Sequence, residues 1–556
     1  MPSDKGSEFC VINKDPYEKA GKAHLADPNT YGRSRITKAA TLEKKINDTW
    51  RDITANKGIP EYITRSYITH NSDLPKFYHL IKTHKTGPEV KIRPIVSSCG
   101  SPTSKLSFLL NKLLTPLLTD VPAHLQSTSN LLQDIRDIPS STRKDCPFAF
   151  SMDVIALYTS IPLQEAISNA VRYIQEHKSG IYPLTPADLG RLLEAILLNS
   201  AFTFLGESYS QKQGLPMGNP VSGVLAILFM DRLEKATLVK IQDKVAIYRR
   251  YVDDTFILAR DKEAAINIFN FFNNAHPNIK FEIEFPDKSG QLKLLDCAIQ
   301  IGPDGAIHTD FYQKKAKSSL LPHFRSSMTS ASRLDIVRNE VKRRRDRCPN
   351  RDRVRGHLSK FRGTLSLNGY PEQFIDEAMK PKPQKANVKA APAGKSKDEF
   401  AYLRFPHTTD SMNRKVKKIF KDAGLKVRLY DRPMTLRRML SQQPPKDACS
   451  LKNCTMNNKD CMAKSIVYKL TCEACGSKYI GSTFRTLHQR VKEHLAKVDG
   501  SVRSHQQSCG APFAVKVMAR ETDRVALRFT EAFIIDEEKA TINSRSEREE
   551  LYNLVY

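Results

Sequence analysis

The stretch "YRRYVDDTFILAR" (248–260) sets two acids, Asp253 and Asp254, between one run that ends at Val252 and another that begins at Thr255. Both flanks read as strands. Asp is common in turns because its side chain bonds nearby backbone amides. An Asp-Asp hairpin tip therefore explains the local pattern on its own. It does not explain why two like charges stand side by side where the flanks are to be buried, and residues elsewhere in the chain bear on that.

The chain has 556 residues, enough for about three or four domains. Hydrophobic residues make up 40%, ample for cores. Lys and Arg number 88 against 60 Asp and Glu, a balance of +28. A field of that sign attracts polyanions, either nucleic acid or an anionic membrane. The first ten residues, MPSDKGSEFC, are polar and lack a signal-peptide core. No apolar run approaches the roughly 18–20 residues of a membrane span. A nucleic-acid partner and no membrane are expected.

Composition divides the chain. Residues 1–70 read as a polar, helical N-terminal region holding Trp50, the single tryptophan. Residues 71–325 mix short strands with longer helices. Within 326–380 lies "RNEVKRRRDRCPNRDRVRGHLSKFRG" (338–363), with eleven Lys or Arg and three acids. It reads either as a solvated face or as a surface that tracks a nucleic-acid backbone. Residues 381–448 open on a Pro/Ala/Lys-rich basic linker. They continue with strand, helix and strand signals in "FAYLRF" (400–405), "DSMNRKVKKIFKDAG" (410–424) and "KVRLYD" (426–431). Residues 449–556 hold six of the eleven cysteines. Clustering of that kind suggests metal.

A third acid, Asp153, closes the apolar strand in "FAFSMDVIALYTSIP" (148–162). An acid at the end of a buried strand is costly unless it is paired or binds a cation. Convergence of Asp153, Asp253 and Asp254 makes sense with two divalent cations between them, and all-oxygen donors suit Mg²⁺. Between these acids, "QKQGLPMGNPVSGVLAILFMDRLE" (211–234) gives a glycine loop before a helix. Asn219 and Pro220 read as its N-cap and first helical position. Gln213 is placed to bond a nucleotide. In "VKIRPIVSSCG" (90–100), Lys91 and Arg93 fall on one strand face. That fits a triphosphate clamp, or equally a solvated edge.

The order of these parts, ending in Tyr-x-Asp-Asp, resembles reverse transcriptases. The resemblance implies an α+β multidomain chain with a right-hand polymerase of fingers, palm and thumb. Fingers and palm would occupy 71–325 and the thumb 326–380. It also implies that Asp153, Asp253 and Asp254 bind the two catalytic Mg²⁺ ions. Tyr158, five residues after Asp153, would lie under the nucleotide sugar and reject its 2′-hydroxyl, favouring DNA synthesis. The stretches "LPKFYHLIKTHK" (74–85), "RPIVSSCGSPTSKLSFLLNKLL" (93–114), "FEIEFPDKSGQLKLLDCAI" (281–299), "TDFYQKKAKSSLLPHF" (309–324) and "NGYPEQFIDEA" (368–378) narrow the similarity to Penelope-like retroelements.

The C-terminal "SIVYKLTCEACGSKYIGSTFRTLHQRVKEH" (465–494) places Tyr468 and Tyr479 on two short strands. Arg490 and His494, four apart, share a helix face. A small α/β domain with ordinary surface polars would account for these features. The pattern also resembles GIY-YIG endonucleases, through "IVY" (466–468) and "YIG" (479–481), with Ile466 where the motif has Gly. That departure bears on turn geometry. The resemblance assigns Arg490 to phosphate neutralisation, Glu531 in "RFTEAFIID" (528–536) to one Mg²⁺, and Asn543 to the domain's end. Tyr468 and Tyr479 would deliver the nucleophile with ordered water, and His494 would assist or hold the helix. Base, cation and charge clamp are what phosphodiester hydrolysis needs.

Cys472 and Cys475 form C-x2-C, and His505 and Cys509 form H-x3-C, a paired spacing that suits tetrahedral Zn²⁺. Cys449, Cys454 and Cys461 are candidates for a second Zn²⁺ or an extension of the first. Reduced, unliganded thiols are the plainer account. Together the resemblances imply an RNA-directed DNA polymerase of a mobile element. It would nick target DNA and extend the freed 3′-hydroxyl primer with dNTPs on an RNA template. In the alternative, the C-terminal domain binds DNA, stabilised by zinc, without cutting it. Nuclear localisation is expected from that function and from basic runs such as "RKVKK" (414–418).

Overall fold

The computed structural model describes residues 3–4, 9–83, 90–177, 183–314, 320–326, 328–380, 401–404, 410–430, 460–496, 500–520 and 524–543. The chain divides into two compact units, residues 1–430 and 431–556.

The strands of the first unit are β1 (Tyr31–Arg33), β2 (Lys76–Ile81), β3 (Ile92–Ser97), β4 (Phe148–Val154), β5 (Ala201–Phe204), β6 (Glu207–Gln211), β7 (Ile247–Tyr251), β8 (Asp254–Ala259), β9 (Phe281–Glu284), β10 (Leu292–Leu294), β11 (Cys297–Ile301) and β12 (Ile307–Phe311). They form a four-stranded sheet in the order β7-β8-β4-β9, a five-stranded sheet β1-β6-β5-β2-β3 and a meander β10-β11-β12.

Alternation along β4 and β8 decides what the four-stranded sheet buries. Phe150, Met152, Val154, Ile257 and Ala259 enter the main core, with the helices Leu163–His177 and Ser222–Leu238. The first half of helix Ser222–Leu238, residues 224–230, is apolar all round and buried, whereas Arg232 and Lys235 in its second half face solvent. Ala149, Phe256 and Leu258 point the other way, into a second core shared with β10, β11 and the helix Thr128–Asp137. At the end of the two strands this second face is no longer covered. There it carries Asp153, which is exposed, and Asp254, which is half-buried.

The ladder between β4 and β8 is modified beside the acids. The Thr255 hydroxyl accepts from the Met152 N–H and donates to the Met152 carbonyl, both at 2.8 Å. A side chain thus satisfies two buried backbone groups that would otherwise need strand partners.

The hairpin tip differs from the expected Asp-Asp. Asp254 belongs to the ladder, paired with Tyr251 on one side and Asp153 on the other, so the turn is Val252–Asp253. Val252 has φ +60°, and it is the only β-branched residue with positive φ among the described residues. Such a conformation costs on the order of 1–3 kcal/mol and requires surroundings that hold it.

Residues before 70 are not spatially separate. β1 pairs with β6, and Leu42, Ile46, Trp50 and Ile53 join the main core. The basic run forms two helices, Ser330–Arg347 and Arg351–Leu367, which pack with Glu372–Met379 around Val337, Val341, Phe361, Leu365 and Ile375. Not all of its charge faces solvent. Arg344 stacks 4.1 Å from the Phe361 ring, and Arg347 binds Asp296 at 3.1 Å. The strand-helix-strand segment gives β13 (Ala401–Arg404) and β14 (Val427–Tyr430), paired in parallel, with the helix Asp410–Asp422 between them in sequence.

The second unit has β15 (Ile466–Cys472), β16 (Lys478–Thr483) and β17 (Phe513–Arg520), antiparallel in the order β16-β15-β17. Helices Leu487–Ala496 and Ser501–Cys509 cover the face bearing Tyr468. Helix Arg524–Glu537 covers the face bearing Val467 and Ile480. Ile466, which replaces the motif glycine, is a core residue in β15. The positive φ at that bend, +54°, belongs to Ser465. Among the described residues no helix is long and apolar enough to cross a membrane.

The Thr255 bridge yields a stability test. Thr255→Val keeps the shape but strands the Met152 N–H and carbonyl, and should destabilise the first unit by about 1–3 kcal/mol. Thr255→Ser, which keeps the hydroxyl, should lose less. Chemical denaturation of the three proteins checks this; equal midpoints would remove the bridge's role.

Candidate active sites

The acids stand in one row across the first site. Asp153 is in register with Asp254 on β8 and with Glu282 on β9, and Ser151 with Glu284. Cross-strand partners share a face, and like charges directly opposite are destabilising unless something relieves them. The partner of Asp153 in register is therefore Asp254 rather than Asp253. Asp253 lies in the turn, where its carbonyl accepts from Val154 N–H at 3.1 Å. The oxygen-only donor set fits a hard cation such as Mg²⁺.

Tyr158 stands at the same place. It lies in the short helix Leu157–Ser160, half-buried against the main core. Burial raises its hydroxyl above the ordinary phenol range, and the charge of Asp253 raises it further while Arg93 opposes. The glycine loop is stitched to both neighbours. Leu215 N–H donates to the Tyr158 carbonyl at 2.6 Å, and Val96 N–H to the Met217 carbonyl at 2.7 Å. A side chain at Gly214 (φ +82°) would strike Thr159 backbone at 2.5 Å, and one at Gly218 (φ +117°) the Val96 carbonyl at 2.5 Å. These glycines let the loop join β3 to the Tyr158 helix.

Gln213 is half-buried in that loop, and its carbonyl accepts from the Gln211 side chain at 3.0 Å. The following helix begins at Ser222 rather than Pro220, with Asn219 Oδ1 accepting from Val221 N–H at 3.1 Å. Arg93 lies within β3, and Lys91 is exposed just before it. Arg93 Nε meets the buried Asp4 carboxylate at 3.1 Å.

In the second site, β15 and β16 set Tyr468 opposite Gly481. A Cβ at Gly481 would lie 2.6 Å from the Tyr468 hydroxyl and 2.9 Å from the Tyr479 ring, so only glycine permits both tyrosines there. The Tyr468 hydroxyl is 2.6 Å from His494 Nε2, and the Tyr479 ring sits edge-on to His494 at 4.9 Å. Arg490 is half-buried and touches Glu493 at 3.5 Å. Burial alone would lower its pKa, but Tyr468 and then Tyr479 raise it, so the guanidinium stays charged beside the phenols.

Glu531 comes from the helix on the opposite face. Its carboxylate accepts from Ser482 N–H at 2.7 Å and from the Ser482 hydroxyl at 2.6 Å. The tyrosines and Glu531 thus meet adjacent residues of β16, Gly481 and Ser482. Asn543 pairs with the Ile480 backbone like a strand, accepting at 2.9 Å and donating at 2.8 Å.

The ligand atoms of Cys472, Cys475, His505 and Cys509 all lie within 4.8 Å of one another. Cys475 Sγ is 3.3 Å from His505 Nε2, and the sulfurs of Cys472 and Cys509 are 3.6 Å apart. Hydrogen bonding with Ser477, the largest influence, lowers the Cys475 thiol to about 6, whereas contact with Cys472 pushes Cys509 up to about 11. Three thiols and an imidazole this close fit a soft tetrahedral cation. Cys461 is buried outside this group, and Cys449 and Cys454 lie outside the described residues. Outside that group, Cys348 adjoins Asp310 and His357. Asp310 is already bonded to His357 at 2.7 Å and paired with Arg353, so this group reads as a hydrogen-bonded junction.

Sequence reasoning missed Glu282, although the alternation in "FEIE" (281–284) puts both glutamates on one face. It also missed Arg250 and Glu234, which form a fully buried ion pair beneath the hairpin. The available signal was weak: two adjacent arginines in "IYRRY" (247–251), of which alternation turns Arg250 to the face opposite Arg249.

Residues 83–293 match the family model described as "Reverse transcriptase (RNA-dependent DNA polymerase)". No curated protein matches the chain. Among solved structures, it is similar to telomerase from Candida albicans in complex with a fragment of telomeric RNA (TM-score 0.40, 10% identity, 64% of this chain and 59% of that one). It is also similar to apo telomerase from Candida tropicalis truncated from its C-terminal domain (0.33, 11%, 47% and 60%). A third is the BmCPV RNA-dependent RNA polymerase at quiescent state (0.34, 12%, 59% and 30%). The chain spans about six tenths of the telomerase chains and under a third of the viral polymerase. The row of acids on β4 and β8, with Tyr158 beside it, falls inside the matched segment, and residues 83–293 are a reverse transcriptase domain.

Proposed function

We propose that this chain is the enzyme of a Penelope-like mobile element. It is an RNA-directed DNA polymerase joined to a GIY-YIG endonuclease, which nicks target DNA and extends the freed 3′-hydroxyl on an RNA template. The observation that carries the polymerase half is the register of Asp153 with Asp254, beside Tyr158, within a reverse transcriptase domain.

Asp153, Asp253 and Asp254 would hold two Mg²⁺ ions, which would supply Lewis-acid activation of the primer hydroxyl and charge neutralisation at the pyrophosphate. Lys91 and Arg93 bind the triphosphate, Gln213 the nucleotide, and Tyr158 excludes a 2′-hydroxyl.

In the second unit, Glu531 would hold one Mg²⁺ to stabilise phosphate charge, Arg490 neutralises the phosphate, and Tyr468 and Tyr479 with His494 orient and deprotonate water. Asn543 fixes β16. Cys472, Cys475, His505 and Cys509 would hold a structural Zn²⁺, which would tie the β15–β16 turn to the helix Ser501–Cys509. The substrates place the protein in the nucleus. One observation favours a second reading, in which this unit binds DNA without cutting it: both Glu531 oxygens are already engaged by Ser482.

Primer extension on an RNA template with dNTPs and Mg²⁺ tests the polymerase. Asp253→Asn should abolish extension and Asp254→Asn should leave a trace; extension equal to wild type by Asp253→Asn rules the assignment out. Tyr158→Ala should reduce discrimination against ribonucleotides by roughly 10–100-fold, the order that one steric contact supplies.

Nicking of supercoiled DNA tests the nuclease. Wild type should cut and Glu531→Gln should not; no cutting by wild type across metals and sequences selects the binding module. Cys472→Ser should lose the bound zinc, read by elemental analysis; unchanged zinc content removes Cys472 from the ligand set.

A further inference from the structure

Arg250 is a full charge with no solvent exposure, next to the end of β7. An isolated charge cannot stay there. Its partner is Glu234, 1% exposed, on the helix Ser222–Leu238. The guanidinium meets that carboxylate through Nε and through Nη2, the latter at 3.1 Å. The Tyr248 hydroxyl donates to the same carboxylate at 2.8 Å. The remaining nitrogen, Nη1, donates to the Val252 carbonyl at 3.0 Å, while Nη2 also reaches the Ile227 carbonyl at 3.3 Å. The Arg250 backbone is anchored too, to the Ala123 carbonyl at 2.6 Å and the Leu125 N–H at 2.8 Å.

The Val252 carbonyl belongs to the peptide that leads into Asp253. Val252 is also the β-branched residue held at φ +60°. Such strain persists only where neighbours over-determine it. An arginine anchored by a buried glutamate, with one nitrogen left over for that carbonyl, is a means of holding it. Filling the space alone would not call for charges, because a buried ion pair replaced by apolar side chains is often as stable or more so.

We propose that Arg250, anchored by Glu234, is a positioning residue of the polymerase centre: it clamps the Val252 peptide in its left-handed geometry and so aims Asp253 at Asp153 and the incoming nucleotide. This rests on the reading of Asp153, Asp253 and Asp254 as cation-binding acids. Arg250 is enclosed and acts only through the turn.

The test compares three full-length variants with wild type, by single-nucleotide extension and by Mn²⁺ binding followed by electron paramagnetic resonance. Arg250→Lys keeps a charge for Glu234 but lacks the fork that serves several acceptors. The combination Arg250→Met, Glu234→Leu and Tyr248→Phe removes the three polar side chains together, so that no buried charge is left unpaired to unfold the protein. Both should lower kcat on the order of 10²-fold, as misplacement of a reacting group by about 1 Å does, with KM for dNTP unchanged and Mn²⁺ bound more weakly. Adding Val252→Gly to Arg250→Lys should recover most of the loss, because glycine takes positive φ freely.

A folded apolar combination with wild-type kcat and Mn²⁺ binding overturns the proposal. So does an Arg250→Lys loss of the same size with and without Val252→Gly. If wild type neither binds Mn²⁺ nor extends a primer, the polymerase reading itself fails and takes this one with it. Should Arg250→Lys not fold, the apolar combination decides.

Discussion

Three carboxylates in register on adjacent strands repel one another, and much of the first unit can be read as the means of keeping them together. Asp153, Asp254 and Glu282 have little choice of position, because β4 is held between β8 and β9 by cores on both faces. Burial of Phe150, Met152, Ile257 and their neighbours sets the register, and a one-residue slip would turn every apolar side chain to the wrong face. The energy that offsets the repulsion is thus hydrophobic and lies behind the acids. A cation needs only to complete an arrangement that is already made.

The hairpin depends on that same scaffold. Had Asp253 and Asp254 formed the tip alone, both would follow the turn. Because Asp254 is taken into the ladder, only Asp253 is free to be set by the turn's conformation, and Val252 bears the strain. The two acids are neighbours in sequence but answer to different constraints, one to strand register and the other to a backbone torsion.

Period-two alternation made β4 and β8 legible in the sequence, and with them the convergence of Asp153 with the hairpin acids. The stretch 211–220 was legible as a glycine loop before a helix, although the Tyr158 and β3 backbones that Gly214 and Gly218 meet were not. The exact turn escaped because valine is among the last residues expected at positive φ. The Arg250–Glu234 pair escaped because sixteen residues and a change of element separate its members. Cys472, Cys475, His505 and Cys509 could be paired by spacing alone, since metal ligands recur at short, regular intervals. The resemblance singles out Glu531, but only the fold puts it on a helix and brings it to Ser482 from the face opposite the tyrosines.

The edge strand β16 has a further consequence. An exposed edge offers unpaired N–H and C=O groups to any passing strand, and so invites association with other chains. Here Asn543 occupies both the N–H and the carbonyl of Ile480, Glu531 takes the N–H of Ser482, and Ile542 N–H takes the carbonyl of Lys478. These four outward-facing groups, which a foreign strand would use, are already committed. The side chains that assemble the second site also guard the sheet against aggregation, so substituting Asn543 would expose a sticky margin as well as disturb a site.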